Sequence, residues 1–393
     1  MPGLSGFTAC DVACGWSDRR DVARNKIGFR PVLPGLCLAI LLTPAVPAQS
    51  PEGPTGESWV GVRVMARASG TRLKVGSEVT ALLNAGSVFR VDRVRGDWLW
   101  VDSGNIRGWV KKDAVVPFDQ AIVHFAGVIA REPGNAYALI CRGMARHARR
   151  DYEGAIADAT AAIKIAPKDP WAYHNRAVAL YARNEFDKAL ADADESIKLD
   201  PGEPAHHANR ASILFARKAY DRAIAGFSEA IARLKGLEAY LDDSGDEGEP
   251  GKTSGRLCVV KWITARAECW AARHAPEKAL ADFAEAARVD PHDFATLNSL
   301  AWLLSTCSDS QYRDAKRALA LAREACELTG YRNHLCVDTL AAACAEGGDF
   351  PGAIRWVTRA IALAAGDRRF TDNYLARLKL FLGNEPYHEE PEP

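Results

Sequence analysis

The sequence has no excess of either charge: 50 Lys and Arg stand against 50 Asp and Glu in 393 residues. Bulk attraction to nucleic acid or to an anionic lipid surface shows as a basic excess, so neither is expected as a partner. Nor is there an uninterrupted apolar run of the roughly 20 residues that cross a bilayer. The longest, Val32 to Ala48, is broken by Pro34, Pro44 and Pro47. Catalytic signatures are missing too, with no HExxH, GxSxG, GxxxxGK or GxGxxG. The nine histidines are scattered, and His206-His207 is their one adjacent pair. Neighbours on a helix point about 100° apart and cannot easily share a metal, so solvated or groove-lining histidines are expected. The acidic residues lack the spaced D-x-[DN]-x-[DN]-G loop that wraps calcium. The expectation is a chain without cofactor, metal or catalytic residues, hence not an enzyme.

What is present is globular: 48% hydrophobic and 25% charged residues, enough for two or three domains. The Val32–Ala48 run, preceded by Arg24, Lys26 and Arg30 and ending in Val46-Pro47-Ala48, reads as a signal peptide cut at Gln49. Residues 1–48 are then a leader, and export to the periplasm, the envelope or the medium is expected. An uncleaved membrane anchor is the alternative, since some thirty residues precede the apolar heart. Removing the leader takes away five bases and three acids, so the remaining chain is mildly acidic. Residues 49–56 form a Pro/Gly/Ser-rich linker.

Residues 57–117 hold six short apolar runs: Trp59–Val64, Leu73–Val75, Val79–Leu83, Val88–Val94, Trp98–Val101 and Ile106–Val110. Gly, Asn, Asp or Ser bounds each, a pattern that points to a small β-barrel. Strand alternation sends Trp98 and Trp100 to one face and Leu99 and Val101 to the other. The segments Gly96-Asp97-Trp98-Leu99-Trp100-Val101 and Gly108-Trp109-Val110 resemble the bacterial Src-homology-3-like domain. In its peptide-binding members an aromatic at the place of Trp98 lines the ligand groove, so the resemblance makes Trp98 the barrel's ligand face. The alternative is that Trp98, Trp100 and Trp109 pack the interior of a barrel too small to bury much else.

From Phe118 the chain repeats every 34 residues. Pro133, Pro167 and Pro201 keep that interval, as do Ala121, Ala155, Ala189 and Ala223, and Phe118, Tyr152, Phe186 and Tyr220. A small residue where two helices cross, an aromatic at their turn and a closing proline are the demands of a stacked helical hairpin. Arg142-Gly143, Ala155-Ile156, Asn175-Arg176-Ala177 and Asp200-Pro201 match the tetratricopeptide repeat (TPR), and the chain is similar to bacterial TPR proteins with a signal peptide and a Src-homology-3-like domain. The expected class is multidomain α+β, a small β-barrel followed by an all-α superhelix. Residues 118–135 make an orphan half repeat, with no linker before it, and 136–235 make three repeats. Residues 236–255 form an acidic loop, 256–365 three more repeats, and 366–393 a capping helix with a polar tail. Pro276 replaces the aromatic at the fourth turn, where irregularity is expected, and the fifth repeat has a longer loop through Thr306–Arg313.

The resemblance implies a concave groove that receives an extended peptide or a partner helix. Its lining, carried over by position, is Tyr137, Ile140 and Met144 in the first repeat; Trp171, His174, Asn175, Val178 and Tyr181 in the second; and Asn209, Ser212 and Phe215 in the third. Asn175 and Asn209 stand where peptide-binding members hydrogen-bond a ligand's backbone or terminal carboxylate; a bond to a neighbouring helix is the equal alternative. Ile140 and Met144 occupy the places of the Lys and second Asn of a full carboxylate clamp, which argues against that clamp. Beyond the leader seven cysteines remain, and most are expected as small buried apolar residues. Cys258 and Cys269, eleven residues apart on one helix, are separated by about 16 Å and cannot bridge. The function these features imply is a protein-binding scaffold; a cell-wall binder with the repeats as spacer is the alternative.

Overall fold

The computed structural model describes residues 59–68, 71–75, 78–83, 88–102, 107–242, 254–364 and 367–390. The leader, the cut at Gln49 and the linker lie outside the described residues.

Seven strands form one antiparallel sheet: β1 (Arg63–Ala66), β2 (Thr71–Val75), β3 (Glu78–Leu83), β4 (Val88–Arg95), β5 (Trp98–Asp102), β6 (Arg107–Lys111) and β7 (Val115–Pro117). Their order is β3-β2-β6-β5-β4-β1-β7. One strand more than the six apolar runs is present, because Val115 and Val116 pair with β1 beyond the last run. The first run also starts late. Gly61, at φ +84°, turns the chain and donates its N–H to the Val91 carbonyl, so regular pairing begins at Arg63. Gly108 is required where β6 meets β2, since a Cβ there would lie 3.0 Å from the Lys74 carbonyl oxygen. The inner face is Val64, Ala66, Leu73, Phe89, Val91, Leu99, Val101, Val110 and Val115, closed by Trp59.

Fourteen helices follow among the described residues. The first, α1 (Ala121–Arg131), is the half repeat. Five hairpins are α2 (Ala136–Ala148) with α3 (Tyr152–Ile165), α4 (Pro170–Ala182) with α5 (Phe186–Leu199), α6 (Pro204–Ala216) with α7 (Tyr220–Asp242), α8 (Ser254–Ala272) with α9 (Pro276–Val289), and α10 (Phe294–Thr306) with α11 (Ala315–Leu328). The sixth is α12 (His334–Glu346) with α13 (Phe350–Leu363), and α14 (Arg368–Leu382) ends the stack. The expected acidic loop is shorter than 236–255, because α7 runs on through Asp242; residues 243–253 lie outside the described set.

The local reasons recur from hairpin to hairpin. Asn135, Asp151, Asp169, Asp293 and Asp349 cap helix starts by accepting the N–H two or three residues ahead. At the turn inside a hairpin one residue takes the left-handed conformation: Arg150, Asn184, Lys218 and His274, at φ +51° to +63°. The next N–H returns to the carbonyl five residues back, as from Glu185 to Leu180 and from Ala275 to Trp270, each at 2.9 Å. The irregularity expected at Pro276 is absent. Proline occupies the first turn of α9, where its missing N–H has no intrahelical partner to lose, and the turn keeps the common geometry.

First helices of successive repeats approach one another while second helices do not do so comparably, so the stack curves with α2, α4, α6, α8, α10 and α12 on its inner side. Sheet and solenoid share a core. On β1, Val64 and Ala66 face the sheet interior, whereas Met65, between them, packs with Val116 against Phe118, Phe125, Ala138 and Cys141. The Tyr137 hydroxyl donates to the Ala66 carbonyl at 2.6 Å, and Arg149 Nη2 to the Asp119 carbonyl at 2.7 Å.

Candidate protein-binding groove

The inner helices divide the sequence-derived lining into two groups. Ile140, His174 and Asn209 have 0% exposure, and Val178 and Ser212 are buried as well. Buried as they are, none of these five presents surface to a ligand. Ser212 Oγ donates to the Ala208 carbonyl of its own helix at 2.9 Å, and Asn209 Nδ2 reaches the His174 carbonyl at 3.5 Å. For Asn209 the neighbouring-helix alternative is therefore the observed one. Tyr137, Met144, Trp171, Asn175, Tyr181 and Phe215 keep partial exposure. Of these, Tyr137 is committed to the sheet through Ala66, and its burial holds the phenol well above its ordinary pKa. Tyr181 packs edge-on to Phe186, and Phe215 packs against Tyr220, so both serve the hairpin turns.

Of the histidines expected to be solvated or groove-lining, His174, His206 and His207 are buried, whereas His274 and His292 are exposed. His174 Nδ1 and His206 Nδ1 lie 3.1 Å apart, one donating to the other, with the Trp171 ring 5.0 Å from each imidazole. Both Nε2 atoms are buried without a protein partner. Burial lowers both pKa values, His206 to about 4, and the His206 ring further opposes protonation of His174. His207 points elsewhere, reaching the Pro201 carbonyl at 3.0 Å. Among the described residues no group of three or more potential ligands could hold a metal ion.

A pattern the sequence carried but the reading passed over is an Arg followed by an Asp sixteen residues later. Arg142 grips Asp158 through two bonds of 2.9 and 2.6 Å, Arg176 grips Asp192 at 2.7 and 2.7 Å, and Arg266 grips Asp282 at 2.8 and 2.8 Å. Each planar fork ties the first helix of a hairpin to the second. The third repeat lacks it: Gly226 stands at the acid's place, where a Cβ would come within 2.9 Å of Ala211, and Arg210 turns back to Asp194 at 3.3 Å.

Between α8 and α10 the inner contact is polar. Thr264 and Thr296 share a hydroxyl bond of 2.7 Å, and Ser299 Oγ donates to Glu268 at 2.8 Å. Burial pushes the Glu268 carboxyl up to about 8, so it is largely protonated at neutral pH. Cys141, Cys269, Cys307, Cys326, Cys336 and Cys344 are buried and none is in a disulfide, as their apolar neighbours suggest; the Cys258 side chain lies outside the described set.

At the C-terminal end the inner face is covered by the chain itself. Residues 385–390, within the expected polar tail, turn back after Asn384 (φ +59°) and cross the ends of α12 and α10. The Glu389 N–H donates to the Thr306 carbonyl at 2.8 Å, and Trp302 Nε1–H donates to Glu389 Oε1 at 3.0 Å. His388 Nε2 meets Glu346 Oε2 at 2.7 Å, and the Tyr387 ring lies 5.9 Å from that of Trp302. Glu389 also borders a cavity of about 290 Å³ lined by Ala271, Leu303, Cys307 and Tyr312.

On the sheet the tryptophans are outside, not inside. Trp98, Trp100 and Trp109 are half-buried on the outer face, while Leu99, Val101 and Val110 fill the interior. The interior-packing alternative for the three rings is thus corrected by strand alternation itself. Trp100 and Trp109 meet edge to face at 5.3 Å across β5 and β6, Arg93 stacks over Trp100, and Lys111 sits over Trp98.

Comparison with known proteins agrees with this geometry. A tetratricopeptide repeat family model matches residues 118–170 and 174–237. No curated protein matches. Among solved structures, the APC/C hetero-tetramer Cut9–Hcn1 is similar at 13% identity and a TM-score of 0.51, over 67% of this chain and 46% of that one. This chain therefore spans less than half the length of that relative. PilW, a type IV pilus biogenesis factor, aligns at 15% identity and a TM-score of 0.48, over 61% of this chain and 98% of that one. PilF of Pseudomonas aeruginosa aligns at 16% and 0.46, over 63% and 99%. At such identities the likeness is one of fold. No helix among the described residues is long and apolar enough to cross a membrane. The matched segments show tetratricopeptide repeats over residues 118–170 and 174–237, and the hairpins that follow continue the same helical stack behind the antiparallel sheet.

Proposed function

We propose that this protein is an exported, non-enzymatic scaffold that holds an extended segment of a partner protein along the inner face of its repeats. The observation that carries the reading is the curvature: first helices meet across repeats and leave a concave surface on which Met144, Trp171 and Asn175 keep exposed area. Asn175 is the polar residue of that surface: it is partly exposed, while its Nδ2 is buried without a protein partner and would meet a peptide carbonyl only at close approach. Export rests on the leader pattern of residues 1–48.

The test is capture of the full chain with its partners from the native envelope, followed by mass spectrometry and sequencing of its N-terminus. A partner lost on Asn175→Ala, with a melting temperature within a few degrees of the unchanged chain, is the expected result, together with a mature start at Gln49. An unaltered partner set would contradict the groove, and recovery of intact residues 1–48 on cytoplasmic protein would contradict export.

A second contact is favoured by one observation, the strip of Trp98, Trp100 and Trp109 on the outer face of the sheet. Half-exposed aromatics flanked by Arg93 and Lys111 suit a peptide or a wall glycan, in keeping with the Src-homology-3-like resemblance. Sedimentation of the full chain with purified wall material, compared with Trp98→Ala, tests it. Equal sedimentation of the two, or none by either, removes the sheet from the binding account.

A further inference from the structure

Residues 385–390 lie on the inner face as a ligand would. After α14, the Glu385 N–H closes the helix on the Leu380 carbonyl at 3.0 Å, and the backbone runs without regular structure through Glu390. Its one main-chain bond to the groove, from Glu389 to Thr306, uses a carbonyl at the very end of α10 that has no intrahelical partner. The receiving surface is built in depth. Arg377, 2% exposed, is held by Asp338 at 2.6 and 3.0 Å, and its guanidinium faces the rings of Trp302, Tyr374 and Tyr387 at 5.2, 5.2 and 5.3 Å. Tyr387 thus supplies one of three aromatic faces around a buried cation, and Glu389 takes the indole N–H.

Such a strap is displaceable. Ordering each residue costs about 1–2 kcal/mol, against about 1 kcal/mol gained per hydrogen bond, so its hold depends on being tethered nearby. Its chemistry is compact: an aromatic, one residue, then an acid whose own N–H donates to the groove.

We propose that Tyr387–Glu389 is a built-in ligand of the fifth and sixth repeats, and that this site exchanges it for an extended aromatic-x-acidic segment of a partner protein. The inference rests on the groove reading above and specifies what the C-terminal half of the groove accepts.

The test is fluorescence titration with a labelled peptide of sequence EPYHEE. Two opened forms are used: the chain ending at Asn384, and the full chain carrying Tyr387→Ala with Glu389→Gln, which keeps every helix. The peptide should bind both opened forms saturably and the unaltered chain at least about tenfold more weakly, since the tethered copy competes. Trp302→Phe in the opened full chain, retaining a ring but not the N–H, should weaken binding by at least about tenfold, the worth of one hydrogen bond to a carboxylate. Failure to bind either opened form, or equal binding to the unaltered chain, would overturn the proposal. That failure is separable from failure of the groove reading, because partner loss on Asn175→Ala reports on repeats one to three independently.

Discussion

Asp158, Asp192 and Asp282 each do at one position what a helical hairpin needs most, holding two antiparallel helices at a fixed spacing. Each accepts a bidentate Arg from sixteen residues earlier, with the acid itself largely buried. Removing the acid leaves a guanidinium half out of water with no counter-charge. Asp192→Asn should therefore destabilise by about 2 kcal/mol, whereas Arg210→Ala, at the exposed pair of the third repeat, should cost under about 0.5 kcal/mol. Thermal melts of the two variants side by side check this contrast; equal losses would remove the clamp's role. The buried imidazole pair sets a pH dependence. The folded-state pKa values of His174 and His206 lie below the ordinary 6.5, so between 6.5 and about 4 the unfolded chain binds protons the folded chain refuses. Stability should be full above 6.5 and fall as pH drops through that window. His206→Gln, which keeps one polar atom for His174, should show a smaller drop in melting temperature between pH 6.5 and 4.5 than the unchanged chain does.

At the scale of the element, the hairpin is specified by its turn. Arg150, Asn184, Lys218 and His274 occupy the left-handed region, which costs a side-chain-bearing residue about 1 kcal/mol. Lys218→Gly should raise stability by about 0.5–1 kcal/mol, since the turn geometry already exists and only strain is removed; a melting temperature that falls would show that the turn is not strained. This locality is why the repeats were legible in the sequence. Alanines at helix crossings, aromatics at turns and the closing prolines all act within 34 residues, so their spacing carries the fold directly. The Arg–Asp clamp was equally readable at a separation of 16 and needed only to be sought between helices and not within one. The seventh strand was harder, because Val115 and Val116 pair with a strand some fifty residues earlier and show no run of their own. The extension of α7 through Asp242 escaped because acids without bases read as loop.

At the scale of the whole molecule, sheet and repeats are one body through Met65 and Tyr137, and the C-terminal tail closes the other end. Neither joint could be read from the sequence. Tyr137 sits at a groove position by repeat phase, and only the placement of the Ala66 carbonyl, 71 residues earlier, commits it to the sheet. Glu389 finds Trp302 across 87 residues. The groove list failed in the same way: repeat phase identifies which positions face inward, but superhelical curvature decides which are sealed, and it sealed Ile140, His174 and Asn209 while leaving Met144 and Asn175 partly open. The inner surface left open is therefore narrower than the phase alone implies, and its C-terminal end is covered by residues 385–390. The most direct measurement is photo-crosslinking in the producing cell, with a benzophenone amino acid placed in turn at Met144 and Asn175 on the inner helices and at Lys164 on the outer helix α3. The account predicts one shared partner adduct from the two inner positions and none from Lys164; adducts from Lys164 alone, or from no position, would contradict it.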